Sequence, residues 1–232
     1  MDLKNKNFLD CQNCNNSSFL IKYLSDAQKS LFSSGKNTVH FFDGELIQKT
    51  GTVSSHIVYL KSGFAKLYLE DSKHKDLTVK IIRPCEFYIS PGIFTDNKYH
   101  FSLKAMGNCQ ICFIEEEVIK EILQNNAKFS FEYFKNLNSF LLEIVNKLHS
   151  MATKQNTGKL AETISLISKE IYCESGPRLK LSINDIAELT GISRDSAKKL
   201  LKSFEEEKLL EFENGDLKIL DAEKLEQIAT KG

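Results

Sequence analysis

Two hydrophobic rhythms divide the chain. Between residues 38 and 114, short β-branched and aromatic runs alternate with turn residues: Thr38 to Phe42, Ile57 to Leu60, Ala65 to Leu69, Leu77 to Ile82, Phe101 to Ala105 and Gln110 to Ile114. Asp43-Gly44, Ser62-Gly63, the polar tip 71–76 and Met106-Gly107-Asn108 punctuate them at the spacing of a meander or barrel rather than of βαβ units. Helices are therefore expected outside this block. Downstream, the period lengthens: Phe134, Leu137, Leu141, Ile144, Leu148 and Met151 recur at intervals of 3, 4, 3, 4 and 3, the spacing of a heptad seam. Phe131, Phe140, Leu142 and Val145 widen the stripe, as in a helix that packs on its own domain along one flank and on a second helix along the seam. A monomeric core helix is the alternative; a dimer helix is the favoured reading. A polar break at 153–158 then precedes another helical pattern (Leu160, Ile164, Ile167, Ile171) that ends at Glu174-Ser175-Gly176-Pro177. The break is expected to mark a domain boundary.

The next segment, LSINDIAELTGISRDSAKKLLKSFEEEKLL, begins at Leu181. Ser182 stands three residues before Asp185, a capping signature for a short helix with Ile186, Ala187 and Leu189 on its apolar side. Gly191 suits a left-handed turn, and Ser193 can cap a second helix running to about Lys208. Ala197, Leu200, Leu201 and Phe204 form the packing side of that helix, leaving Arg194, Asp195, Lys198, Lys199 and Lys202 elsewhere. Two short helices joined by a Gly turn are the helix-turn-helix pattern. Leu209 to Glu213, Asn214-Gly215 and Asp216 to Leu220 add a hairpin, so the unit is expected to be a winged helix.

Composition narrows this picture. Lys plus Arg and Asp plus Glu both number 31 in 232 residues, so a DNA site must be a local patch rather than a basic coat. No apolar run approaches the ~20 residues of a membrane span, and MDLKNKNFLDCQNC lacks the apolar core of a secretory signal. A cytoplasmic protein without a membrane partner is expected. Neither GxSxG, a P-loop nor HExxH occurs, and His40, His56, His74, His100 and His149 show no ligand spacing. An enzymatic role is not expected. Cys11, Cys14, Cys85, Cys109, Cys112 and Cys173 are too sparse for a secreted disulfide framework. Of these, Cys85 and Cys173 read as structural thiols.

The helix-turn-helix segment resembles the C-terminal unit of the Crp/Fnr transcription regulators, and FFDGELIQKTG, VYLKSGFAKLYLED, IIRPCEFYISPGIF and CQICFIEEEVIKEIL resemble their N-terminal β-roll. The resemblance covers nearly the whole chain. It implies an α+β protein with a cupin-like jelly-roll sensor at 1–126, a dimerisation helix at 127–152 and a winged helix at 153–232. It further implies a homodimer on a palindromic double-stranded operator, with RNA polymerase as a partner. By resemblance, Ser193, Arg194, Asp195, Ser196, Lys198, Lys199 and Lys202 face DNA. The family often carries Glu and Arg where Asp195 and Lys199 stand here, and Lys cannot reproduce the Arg fork on guanine.

The sensor is less legible. The family's Gly-Glu turn reads Cys85-Glu86 here, and Lys98-Tyr99-His100-Phe101-Ser102 lacks its Arg-Ser pair, which argues against cyclic AMP. Glu86, Phe87, Tyr99 and His100 are the candidate effector-pocket residues. Cys11, Cys14 and Cys112 resemble three of the four cluster ligands of oxygen-sensing members, one thiolate short of an iron–sulfur site. The expectation is no resident cofactor, with a redox-sensing regulator as one alternative and a ligand-binding or interaction module bearing a degenerate helix-turn-helix as another.

Overall fold

A computed structural model describes residues 20–71, 76–170 and 179–232. Cys11, Cys14, Cys173, Ile171 and the 174–177 break lie outside the described residues. The N-terminal unit comprises α1 (Asp26–Ser34), β1 (Lys36–Phe41), β2 (Leu46–Gln48), β3 (His56–Leu69), β4 (Leu77–Ile82), β5 (Glu86–Tyr88), a 3₁₀ turn (Pro91–Phe94), β6 (Ser102–Glu115) and α2 (Glu116–Asn125). All strand pairs are antiparallel, in the order β1-β6-β3-β4, with β2 added to β6 and β5 to β3.

Sequence punctuation predicts four strands where the structure has two, because 57–60 joins 65–69 within β3 and 101–105 joins 110–114 within β6. Ser62-Gly63 and Met106-Gly107-Asn108 are bulges in a continuing ladder, not loops: the β3–β6 register shifts on either side of Ser62, and Gly63 and Gly107 have φ of 79° and 72°. A Cβ at Gly63 would lie 2.4 Å from the Asn108 carbonyl oxygen, so the two strands can approach there only with glycine. Strand alternation then sorts the core. Ile57, Tyr59, Cys112 and Ile114 pack under Phe32 of α1 and Val118, Ile119 and Ile122 of α2. The opposite set, including Val58, Leu60, Leu67, Leu103, Cys109 and Ile111, forms a second apolar cluster.

α3 (Ala127–Thr153) starts where Asn126 Oδ1 accepts from the Phe129 amide at 3.0 Å and buried Phe129 pins the first turn. One flank docks on the sheet: the Phe140 ring meets Phe101 edge-on, and Lys80 Nζ donates to both Glu143 carboxylate oxygens at 2.9 and 2.7 Å. The other flank is bare, with Phe134, Leu141 and Leu148 exposed by 59, 55 and 60% alongside Phe131, Leu142 and Val145. The bare stripe is rotated from the heptad positions. Ile144 and Met151 are half-buried, and exposed Val145 lies nearer its centre.

The C-terminal unit contains α4 (Asn156–Glu170), α5 (Ile183–Thr190), α6 (Arg194–Glu206), β7 (Leu210–Glu213), β8 (Asp216–Ile219) and α7 (Ala222–Lys231). The polar break shrinks to Lys154-Gln155, since Asn156-Thr157-Gly158 are already helical. α7 has no counterpart in the sequence expectation; Asp221 caps it by accepting from the Lys224 amide at 2.9 Å. Leu160, Ile164, Leu201, Phe204, Leu217 and Leu225 close this core, which continues into Phe64, Ile81 and Met106 of the sheet domain. The two units are thus packed on each other.

Candidate nucleic-acid interface

The helix pair forms for local reasons. Ser182 and Asp185 make a reciprocal capping box at the start of α5, which ends at Gly191 with φ 73°. Ala187 O accepts from the Gly191 amide, closing the last turn. Ser193 Oγ then accepts from the Ser196 amide at 3.2 Å and donates to Ser196 Oγ at 2.8 Å, opening α6. These two hydroxyls are therefore engaged with each other at the helix start. Buried Ala197, Leu201 and Phe204 fix the rotation of α6, and Leu200 packs at the edge. That rotation leaves Arg194, Asp195, Lys198, Lys199 and Lys202 exposed. Lys202 pairs loosely with Glu206 at 3.6 Å, while Arg194, Lys198 and Lys199 form no ion pair among the described residues. Cations on the first turns, beside amides pointing outward at the positive helix end, give a surface suited to phosphates and base edges.

The wing is real but acidic. Asn214 and Gly215 both take positive φ (52° and 85°), the paired conformation of a tight hairpin turn. Glu211, Glu213 and Asp216 outnumber Lys218, which is itself paired with Glu211 at 2.9 Å. The tip turns back, as Gly215 O accepts from the Leu181 amide at 2.9 Å. Of the recognition helix and the wing, α6 is thus the cationic element.

One side of α5 is docked on the sheet domain. Lys66 of β3 reaches Asp185 at 3.0 Å and Glu188 at 2.6 Å, all three side chains being at most one-fifth exposed. Thr78 Oγ1 donates to Glu188 at 3.3 Å, and Asn184 Nδ2 donates to the other Glu188 oxygen at 2.7 Å. Burial opposes the Lys66 charge, but its bonds to Glu188 and the neighbouring Asp185 outweigh it and raise the ammonium above its usual value. Burial likewise opposes the Asp185 charge, yet Ser182 and Lys66 lower its carboxyl. Lys147 of α3 completes the dock, donating to Thr78 O at 2.8 Å and Leu189 O at 2.6 Å. Sequence inspection missed Lys66 and Lys147, because nothing local distinguishes them from other lysines.

The four effector candidates are not brought together. Glu86 and Phe87 line a cavity of about 210 Å³ between β4, β5 and α3, but Glu86 is held by Arg83, whose Nε donates at 2.7 Å. Tyr99 and His100 lie off this cavity: the Tyr99 hydroxyl approaches His56 O at 3.4 Å, and exposed His100 pairs with Asp96 at 3.0 Å. Tyr99 nonetheless lies near enough to Tyr88, which lines the cavity, to act on its phenol. A different polar set is buried instead: Gln48 Oε1, Ser54 Oγ, Tyr88 OH and Ser90 Oγ make no hydrogen bond among the described residues. Burial pushes the Tyr88 phenol up strongly; Ser90 and Gln48 lie near enough to oppose that, though not at hydrogen-bonding geometry.

Among the described residues, no three His, Cys, Asp or Glu side chains are grouped to hold a metal. Cys112 is buried beside Thr38 Oγ1 at 3.4 Å, and Cys109 sits in the other apolar cluster, where burial pushes its thiol up to about 11. No described helix is long and apolar enough to cross a membrane.

Comparisons with known proteins match two stretches of the chain. Residues 38–126 fit the cyclic nucleotide-binding domain family and residues 140–228 the Crp-like helix-turn-helix family. The cAMP-activated global transcriptional regulator CRP of Pasteurella multocida is 21% identical over 164 residues, covering 69% of this chain and 78% of that protein. A crp/fnr-family regulator structure from Eubacterium rectale superposes with TM-score 0.72 at 19% identity, covering 91% of this chain and 98% of its own. The c-di-GMP-responsive regulator CLP of Xanthomonas campestris gives 0.73 at 20% identity, covering 84% and 99%.

Proposed function

From this chain's membership of the Crp/Fnr family of DNA-binding transcription regulators, we propose that it acts as a homodimer whose two α6 helices read a palindromic operator under control of an effector in the sheet domain. The observation that carries this reading is the exposed cationic start of α6, held at a fixed rotation by Ala197, Leu201 and Phe204. Arg194 and Asp195 are assigned to base edges, and Lys198, Lys199 and Lys202 to phosphates. The bare apolar flank of α3 supports dimerisation, since a monomer would leave Phe134, Leu141, Val145 and Leu148 in water. RNA polymerase is the assigned protein partner by family likeness.

For the effector, we propose recognition at the buried polar cluster of Gln48, Tyr88 and Ser90, because buried polar atoms without partners call for an explanation. CRP and CLP are described as responding to cyclic nucleotides, whereas here the one arginine at the neighbouring cavity is already neutralised by Glu86. An effector without a phosphate fits better. Its signal would travel through the Lys66 and Lys147 docks, which tie α5 to the sheet and to α3.

Binding of a random labelled duplex, followed by fluorescence anisotropy across a salt series, tests the DNA assignment. A steep fall of affinity with salt is expected, with the log–log slope reduced by about 1.8 per engaged α6 in Lys198→Ala/Lys199→Ala. No binding at low salt would favour an interaction module with a degenerate helix-turn-helix.

A further inference from the structure

A second cavity, of about 240 Å³, lies where the three parts of the chain meet. It is walled by Ile81 of β4, Met151 of α3, Leu166 and Ile167 of α4 and Leu189 of α5. Its charged lining is unbalanced. Glu143 is held by Lys80 at 2.7 Å, and Glu162 by Lys154 at 3.0 Å and by the Ser150 hydroxyl, so both lining carboxylates are already engaged. Lys147 and Lys159 also line the space, and neither has a carboxylate within 4.0 Å among the described residues. The Lys147 ammonium gives two of its three N–H groups to Thr78 O and Leu189 O. Burial draws this group down to about 8, partly offset by the Glu162 charge, as expected for a cation desolvated without a matching anion.

We infer that this junction is a binding site for a small organic carboxylate with an apolar tail, distinct from the polar cluster inside the sheet domain. The carboxylate would meet the free N–H of Lys147 and the Lys159 ammonium, and the tail would lie against Met151, Leu166 and Leu189. The volume equals about eight water molecules at ~30 Å³ each, which suits a chain or ring of about eight non-hydrogen atoms. A ligand here touches α3, α4, α5 and β4 together. Its binding therefore favours the described placement of the DNA-binding unit over any other.

The test uses the full-length protein with ¹³C-methyl-labelled methionine, titrated with hexanoate and, separately, with neutral hexan-1-ol. Hexanoate is expected to shift the Met151 methyl signal saturably and to bind at least tenfold more tightly than the alcohol. Lys147→Met should erase that preference. Thr163→Phe, which fills the cavity from α4 while leaving both lysines, should abolish the Met151 shift, and it decides the matter if Lys147→Met does not fold. Equal effects of acid and alcohol, no saturable Met151 shift, or an undiminished shift in Thr163→Phe would overturn the inference. The experiment contains no DNA, so its outcome is separate from that of the DNA-binding assignment.

Discussion

Lys66→Met tests how firmly the DNA-binding unit is docked. The substitution keeps the length of the side chain and removes the cation that serves Asp185 and Glu188 at 3.0 and 2.6 Å in a site at most one-fifth exposed. Deleting one partner of a buried pair costs about 3–5 kcal/mol, because the other charge is left desolvated. Here Asp185 keeps the Ser182 amide and hydroxyl, and Glu188 keeps Asn184 and Thr78, which places the expectation near the low end, about 3 kcal/mol. At ~2–4 °C per kcal/mol for a chain of this size, the melting temperature should fall by about 6–12 °C. Circular dichroism melts of the full chain would measure it. The triple variant Lys66→Met/Asp185→Asn/Glu188→Gln should recover part of the loss, since no uncompensated charge remains. A fall below 2 °C, or a triple variant no better than the single one, would refute the docking argument. The pH dependence has a definite sign. Asp185 is lowered in the folded protein, so its contribution is present above the usual value of 3.8 and is lost as pH falls through the folded value. Lys66 is raised, so its contribution holds below 10.5 and disappears as pH rises through its folded value. The dock should therefore be flat across neutral pH and weaken in acid below about 4.

Leu141→Glu/Leu148→Glu should yield a monomer at micromolar concentration with unchanged helix content, by sedimentation and circular dichroism; a surviving dimer would exclude the bare flank of α3 as the interface. Gly191→Ala forces a side chain onto φ 73° and 3.3 Å from the Met151 methyl, for a loss of about 1–2 kcal/mol and ~2–8 °C in melting temperature. Ser193→Ala removes the α6 cap and should cost about 1 kcal/mol in denaturant titration. Protein purified without oxygen should be colourless; broad visible absorbance would revive the iron–sulfur reading, for which Cys11, Cys14 and Cys112 are the candidate ligands.

Whatever depends on neighbouring residues was readable from the chain. The Ser182 and Ser193 caps, the left-handed Gly191 and the Asn214-Gly215 turn each act within four residues, so their spacing is their physics. Strand continuity was not readable, because Gly63 looks like a turn until Asn108 is seen against it. The rotation of α3 depends on where Phe140 and Glu143 meet the sheet, which a heptad count cannot register. Lys66 and Lys147 owe their character to partners 42 or more residues away. Short elements such as β2 and β5, three residues each, carry no period to detect.

Selection of bound sequences from a random duplex pool, using the full-length protein, tests the central claim most directly. Two α6 helices related by a dimer axis predict enrichment of an inverted repeat whose half-site centres lie about 10–10.5 bp apart, one turn of DNA. Enrichment of a single unrepeated motif, or of no motif at all, would contradict a dimer reading DNA through α6.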